Sequence, residues 1–556
     1  MGIQGLARRL DPYSIRYAPE ELKGYAAIID GPGLAYEAHK LALNMAAGQL
    51  RLPSYADINN AAVQWLHALE DQGIIIAAVL FDGALPGEKQ AERLSRTEQN
   101  NRRIQQLRAS YAAIACPIPT YLSTTSYAFL APSLREALAD SPFASRTRNV
   151  PGEADDACAL HAKGLSRSII FTSDSDLLLF DYPPETLIVL FQNAESPVGL
   201  KAHSPFQIAQ KLQMQSLLPL AYSIQQRSSE GMEGLVRDAR ILDFGSSMYL
   251  DFSRRYTAAV VAPAYLEKNK DLKAPLQALD VRVSEFVHET LMGSLNLPLY
   301  LPLLVEDPNQ ASAWNMAQDV RNIACSLMSP DTAVIREYRR KAQGISTQNI
   351  QVYFATDVQV PAKDLEGRIS TLVKWAESKD MSPTLIWSLF ALSLVVSDLN
   401  TPPPILLITR VLNGDFDNTW AFIHLAARLQ AALYSLRMLK QITAVWLATN
   451  QQTKSKLRST LESVQLRMAN FPSIADMFIV PGQAKRLLAN HEHLKELVEE
   501  IFKSAGLEVA VEQLSNKKKK RQAREAERKK KKVEHRQQSK AGDQNSFLLL
   551  NSGESS

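Results

Sequence analysis

Cysteine is scarce in this chain. Its three cysteines, Cys116, Cys158 and Cys325, are widely separated and lack metal-ligand spacing. That argues against a disulfide framework or a structural zinc site and fits packed thiols in a reducing compartment. His491 and His493, two apart, point to different faces of a helix, which removes the other zinc candidate. Long apolar runs are also missing. The uncharged, strongly apolar stretch Met381 to Ser397 is interrupted by four serines and closely bracketed by Asp380 and Asp398, so it reads as a buried core helix and not as a membrane span. No charged segment followed by an apolar one opens the chain, so no secretory signal is expected. No repeat of fixed period is evident.

What is present is ordinary globular composition, 46% hydrophobic and 22% charged over 556 residues, enough for two or more domains with full cores. Charge is unevenly placed. Lys517 to Lys540 holds thirteen Lys or Arg and three Glu, a net of +10, which leaves −6 for the rest of a chain whose total is +4. The folded body is therefore mildly acidic, and any anion-binding surface must gather its positive charge locally. The run KKKKRQAREAERKKKK, Lys517 to Lys532, has the form of a bipartite nuclear-import signal on a solvated, disordered tail, so a nuclear location is expected. Affinity that such a tail lends to nucleic acid falls steeply with salt.

Four segments deliver acidic residues at the end of an apolar run: Asp30 after AAIID, Asp82 in VLFDG, Glu153 and Asp155 in VPGEADD, and Asp174 and Asp176 in FTSDSD. Runs such as Ile74 to Phe81 read as strands buried on both faces, and open α/β sheets bind ligands at the carboxyl ends of their strands. Taken singly, a strand followed by Asp is commonplace. Six carboxylates converging from different strand ends would repel one another unless a dication neutralised them, and oxygen-only donors favour Mg²⁺ or Mn²⁺ over zinc. Two such ions about 3.5–4 Å apart can clamp a phosphodiester displacement.

The opening residues Met1-Gly2-Ile3-Gln4-Gly5-Leu6 resemble the start of the flap-endonuclease (XPG-type) structure-specific nucleases. DGPGLAY, Asp30 to Tyr36, is similar to that family's first acidic motif with its tyrosine. FDGALPGEKQAERLSR, Phe81 to Arg96, is similar to the second, with Lys89 and Arg96 seven and fourteen residues after the Asp. PGEAD, Pro151 to Asp155, and SDSD, Ser173 to Asp176, resemble the internal nuclease region. Gly31-Pro32 and the long helical rear suggest the Asteroid-like branch, with its fungal members nearest. The resemblance covers roughly residues 1 to 230 and implies a Mg²⁺-dependent nuclease, two ions being expected and Mn²⁺ an alternative, acting on branched or junction nucleic acid, DNA or RNA, in repair or processing. It implies metal binding by Asp30, Asp82, Glu153, Asp155, Asp174 and Asp176. It implies charge stabilisation by Lys89 and Arg96, and nucleic-acid contact by Gly2, Tyr36, Arg93, Arg102 and Arg103. One departure stands out. The segment expected to carry a seventh carboxylate, Leu217 to Gly231, has Arg227 at the aligned position, with Glu230 or Glu233 as the only nearby substitutes, and the following helix-hairpin signal is degraded. The alternative reading is accordingly a weakened or inactive nuclease-like scaffold that binds nucleic acid or protein.

The expected fold is an α/β PIN-like core with a parallel sheet, then a mainly helical C-terminal region and a basic tail. Its parts are an N-terminal nuclease region (1–112) with a basic helix from about Pro86 to Ala112, and an internal region (113–205). A degenerate hairpin region (206–265), a helical domain (266–514) that offers a protein partner its surface, and the tail (515–556) follow. Strands are expected at Ala26 to Ile29, Ile74 to Phe81, Ile169 to Thr172 and Leu187 to Phe191. Helices are expected at Leu365 to Glu377, Pro383 to Asp398, Thr419 to Leu447 and Lys454 to Ala469, with a loop at Gln343 to Asn349.

Overall fold

A computed structural model describes residues 3–46, 51–112, 115–194, 199–257, 265–266, 269–329, 331–350, 352–452, 454–483 and 491–507. Gly2 and the basic tail lie outside the described residues. Residues 1–501 cluster as one compact unit, so the nuclease-like and helical regions pack together; of the second unit, 502–556, only 502–507 are described.

The centre of the first half is a sheet of five parallel strands in the order β4-β3-β2-β5-β6, formed by β2 (Ala26–Asp30), β3 (Ile75–Phe81), β4 (Thr147–Asn149), β5 (Arg167–Thr172) and β6 (Glu185–Leu190). Continuous apolar runs make these strands, because helices cover both faces and leave no solvent side to alternate toward. The chain builds outward from β2 to β3 and β4, then returns to the other side of β2 for β5 and β6. The order therefore reverses at β2/β5, the place where such sheets open a crevice beyond the strand ends. A short antiparallel pair, β1 (Ile15–Tyr17) with β7 (Leu200–Ala202), closes one end.

Around the sheet stand α1 (Leu6–Leu10), α2 (Gly31–Met45), α3 (Tyr55–Asp71), α4 (Gln90–Ser110), α5 (Leu130–Ala139) and α6 (Ala154–Lys163). Then come α7 (Pro205–Lys211), α8 (Leu218–Gln226), α9 (Met232–Arg240) and α10 (Ser247–Arg254). Ser54 and Asp57 form a capping box that starts α3. One core cluster joins Ile28, Ala78, Ile170 and Ile188 of the sheet to Cys158 and Ala162 of α6 and to Leu220 and Ile224 of α8. Each such aliphatic side chain contributes about 1.5–3 kcal/mol by leaving water.

The second half is mainly helical: α11 (Lys273–Gln277), α12 (Val281–Leu291), α13 (Gln318–Met328), α14 (Gln359–Glu377), α15 (Pro383–Ser397), α16 (Ile405–Asn413), α17 (Trp420–Thr449) and α18 (Lys456–Arg467). The helices expected there form, within a few residues of the expected bounds except α14, which begins earlier. A three-stranded sheet was not expected. β8 (Asn296–Tyr300) runs parallel to β9 (Val334–Lys341), which turns back into β10 (Gly344–Ile350). The loop read at Gln343 to Asn349 is corrected by this finding: ISTQN is polar because β10 is a largely exposed edge strand held by its ladder to β9 and not by a buried face. Among the described residues no helix is long and apolar enough to cross a membrane, and the three cysteines are buried and unpaired.

Helix α4 falls where the basic helix was expected, but it is not simply a solvated face. Its Arg93 pairs with Glu285 of α12 at 2.6 Å, and its Arg108 pairs with Asp307 at 2.9 Å. Asn101 and Gln105 donate to the carbonyl of Gln343 in the β9–β10 turn. The second half thus grips the back of α4 and fixes which of its cations remain available.

Candidate active site

Asp30 ends β2 and also begins α2. Its Oδ1 accepts the Gly33 amide at 3.1 Å, an N-cap bond, while Pro32 occupies the first turn, where no amide partner is lost. Gly33 is required by closeness: a Cβ there would lie 2.5 Å from Asp30 Oδ2. That second oxygen accepts Thr172 Oγ1 at 2.9 Å, and the same hydroxyl receives the Asp174 amide at 2.9 Å. The ends of β2 and β5 are thereby tied together across the switch point.

Asp82 follows β3. Its Oδ1 accepts the Ala154 amide at 2.8 Å at the start of α6, and the backbone beside it docks through Gly83 N to Gly152 O at 2.8 Å and Ala84 N to Pro151 O at 2.9 Å. The DG pair marks this close approach and not a hairpin turn, since a Cβ on Gly83 would sit 1.9 Å from the Val150 carbonyl. The approach brings Asp82 to Glu153 and Asp155. Asp174 caps the short 3₁₀ turn Ser175–Leu179 by accepting the Asp176 amide at 3.0 Å. Asp176 accepts Ile3 N at 2.7 Å and the Tyr256 hydroxyl at 3.1 Å, so the residue next to Gly2 does reach the site.

All six carboxylates line one cavity of about 1160 Å³, together with Lys89, Arg93, Arg96 and Tyr36. Tyr36 is 53% exposed there. Burial, reinforced by the negative charges of Asp30 and Glu153, pushes Asp82 up to about 6. Burial and then the charges of Asp30, Asp174 and Asp82 hold Asp155 well above the usual carboxylate range, and burial followed by Asp174 raises Asp176. Burial likewise raises Asp30, with Asp174 adding to it against the hydrogen bonds from Gly33 and Thr172. Lys89 Nζ lies 2.5 Å from Glu153 Oε1; burial opposes its charge, but Glu153 outweighs burial and the ammonium is held above its ordinary value.

The metal expectation meets a geometric difference. Among the described residues no three His, Cys, Asp or Glu side chains stand at ion-holding spacing. Donors of the protein engage five of the six carboxylates: amides on Asp82 and Asp174, a hydroxyl and an amide on each of Asp30 and Asp176, and Lys89 on Glu153. In charge and donor type the set fits a hard dication, since it is all oxygen and its members raise one another's proton affinity.

Not every expected site residue reaches the cavity. Arg102 and Arg103 lie further along α4 and do not line it; Arg102 is exposed and 3.8 Å from Glu98, and Arg103 contacts Asn100. Arg93 lines it but is clamped on Glu285, with Tyr300 beneath its guanidinium at 4.4 Å. Arg96 faces the cavity and pairs with Glu92 one turn earlier. Arg227 ends α8 and turns outward onto Asp238 at 2.5 Å and Glu230 at 3.1 Å. The α8–α9 junction presents Ile224, Gln225 and Ser228 to the cavity, so neither Glu230 nor Glu233 supplies a seventh carboxylate there. Among the lining residues that escaped the sequence reading are Asp156, Arg255, Tyr256 and Arg282. Asp156, next in PGEADD, carried a local signal; the others come from segments with no acidic motif.

A parallel sheet whose switch point is ringed by carboxylates, with a basic helix beside it, has the XPG-like arrangement expected from the resemblance. Residues 126–352 match the family model described as XPG domain containing. A comparison with curated proteins finds no match. Among solved structures, the chain is similar to the catalytic core of Rad2 in complex with DNA substrate, at 17% identity and a TM-score of 0.29 over 48% of this chain and 92% of that one. It is also similar to human GEN1 in complex with Holliday junction DNA, at 13% identity and 0.29 over 53% and 80%.

Proposed function

We propose that this chain is a metal-dependent, structure-specific nuclease of the Asteroid-like branch that hydrolyses a phosphodiester in a single strand emerging from a branch or junction. The observation that carries this reading is the convergence of Asp30, Asp82, Glu153, Asp155, Asp174 and Asp176, from four separate segments, on one cavity that also holds Lys89 and Arg96. Like charges so gathered are unfavourable for folding, and a fold retains them where chemistry needs them.

Mg²⁺ or Mn²⁺ held by these carboxylates would supply neutralising charge and Lewis-acid activation of the phosphodiester. The protein's own groups do the rest. Lys89, held by Glu153, is placed to move onto a non-bridging phosphate oxygen and stabilise charge that develops there. Arg96, on the same side, binds a neighbouring phosphate. Tyr36 offers an exposed ring for stacking of a base, which is tolerant of sequence. The cavity is only slightly larger than the roughly 300–1,000 Å³ typical of small-molecule pockets. It therefore admits a few nucleotides of one strand and leaves a duplex outside. The missing carboxylate at the α8–α9 junction supports the second reading, a scaffold that binds such strands without cutting them.

The deciding experiment incubates untagged protein with Mg²⁺ or Mn²⁺ and labelled flap, fork, duplex and single-stranded DNA and RNA, beside the Asp174→Ala, Asp176→Ala double variant. Metal-dependent cleavage lost in the variant supports the nuclease. Binding without cleavage by folded wild-type protein moves the reading to the scaffold. The tail Lys517 to Lys532 we read as a nuclear-import signal; a fluorescent fusion lacking 515–556 that still concentrates in nuclei would overturn that.

A further inference from the structure

The cavity has a basic wall that does not belong to the parallel-sheet core. Arg282, at the start of α12, lines it partly buried, donates no hydrogen bond and forms no ion pair among the described residues. Its near neighbour is a second guanidinium, that of Arg93 on α4, and the two repel. The carboxylate that acts on both is Glu285, one turn along α12 from Arg282, and Arg93 Nη1 already takes both of its oxygens at 2.7 and 2.6 Å. Arg93 is 9% exposed, yet its Nε and Nη2 are buried without a hydrogen-bond partner. The pair thus carries two positive charges against one negative, with donors left idle beside a cavity.

Burying such donors is costly unless something accepts from them. Elsewhere the chain shows what satisfaction looks like: Arg321, fully buried, spends Nε, Nη1 and Nη2 on Glu337, Met316, Ser435, Trp314 and Gln318. A planar guanidinium pair with net charge +1 and free N–H groups matches a phosphate, which accepts from several donors at once. We propose that Arg282 and Arg93 form a phosphate-binding subsite in the cleft, holding a backbone phosphate of the bound strand. The inference rests on the nuclease-like reading of the cleft for the identity of the strand, but it concerns binding alone. It gives the helical half a direct part in substrate recognition.

The test is therefore made without catalysis. Binding of a fluorescent single-stranded DNA decanucleotide to the full chain in EDTA is followed by anisotropy across a NaCl series, for wild type, Arg282→Ala, Arg282→Lys and Glu285→Gln, each checked for folding by thermal melting. Loss of one phosphate contact predicts that Arg282→Ala binds about 5- to 10-fold more weakly and that the slope of log K against log salt falls by about 0.7, the single-strand value per phosphate. Arg282→Lys keeps the slope and recovers part of the affinity. Glu285→Gln removes the compensating charge and binds more tightly, whereas a merely structural Arg93–Glu285 clamp predicts weaker binding. Inorganic pyrophosphate that displaces the oligonucleotide from wild type, and does so less well from Arg282→Ala, assigns the subsite to phosphate as such; equal displacement assigns it to the strand backbone. Unchanged affinity and slope in Arg282→Ala, or no oligonucleotide binding by wild type, overturns the subsite. If cleavage is never seen but the Arg282 effect is, the nuclease reading falls and the subsite stands.

Discussion

Two regions of this molecule bury charge, and they do it in opposite ways. In the helical half Arg321 and Glu337 pair at 2.9 Å with both side chains fully buried, and Arg340 and Glu306 pair at 2.5 Å nearly as deep. Arg437 bridges Asp280 of the α12 cap and Glu136 of α5. Each of these buried charges meets an opposite one. At the ends of the parallel strands the buried charges are almost all negative, and Lys89 is the cation paired directly to one of them. The lesson is that burial of charge does not mark a functional site; failure to balance it does. Balanced pairs cost nearly as much desolvation as they return and serve to fix one arrangement of α13, β9 and α17, while unbalanced ones store repulsion that a ligand can relieve.

Several substitutions would sharpen or break that contrast. The largest effect expected is on activity: Asp174→Ala, Asp176→Ala abolishes metal-dependent cleavage, measured on a labelled flap, while the melting temperature stays level or rises. A marked loss of stability would mean that these carboxylates hold the fold. In the helical half the outcome reverses. Glu337→Gln strands Arg321 without its counter-charge and costs about 3–5 kcal/mol in urea unfolding. Lys89→Met, which removes the cation beside Glu153, lowers the cleavage rate by about 10²–10³ at saturating substrate.

A pH series separates the regions further. His424 is held neutral by burial, with Arg428 and Arg340 adding to it, and titrates only at about 3. Its neighbour Glu306, at 3.9 Å, is already engaged by Arg340 and the Ala313 amide. A folded value below the unfolded one means that the unfolded chain binds the proton first, so the stability from a neutral His424 is present above about pH 6.5 and is lost as pH falls toward 3, at about 1.4 kcal/mol per pH unit. Chemical denaturation between pH 7 and 5 of wild type and His424→Asn should show a shallower loss in the variant. The smallest effect is expected from Asp155→Asn, which removes one member of the like-charged set and stabilises the fold by about 1 kcal/mol in the absence of metal. A destabilisation would show that Asp155 contributes a favourable contact that outweighs repulsion.

The sheet and its acidic ends were legible because both signals are local. An apolar run such as Ile76 to Phe81 makes a doubly covered strand wherever it sits, and the Asp that closes it is carried to the crevice by the strand itself. Helix α4 was legible as a helix, since its charges repeat along one segment. Its surroundings were not: Arg93 meets Glu285 and Arg108 meets Asp307 across about 200 residues of chain, and nothing near either arginine in sequence separates a phosphate ligand from a clamp. Strand β10 was missed for a related reason, because an edge strand is made by its partner's ladder and shows no buried face of its own. Tyr256 and Arg282 have ordinary sequence neighbours and gain their roles only from facing Asp176 and Arg93.

By itself, then, the sequence determined the buried strands of the parallel sheet, the long apolar-patterned helices and the acidic residues that close those strands, because period, apolar run and N-cap chemistry act within a few residues. The tertiary structure decided which of those charges are spent and which are left over. Pairing is a matter of distance between segments remote in the chain, and that distance exists only once β2, α4 and α12 have packed around one cavity.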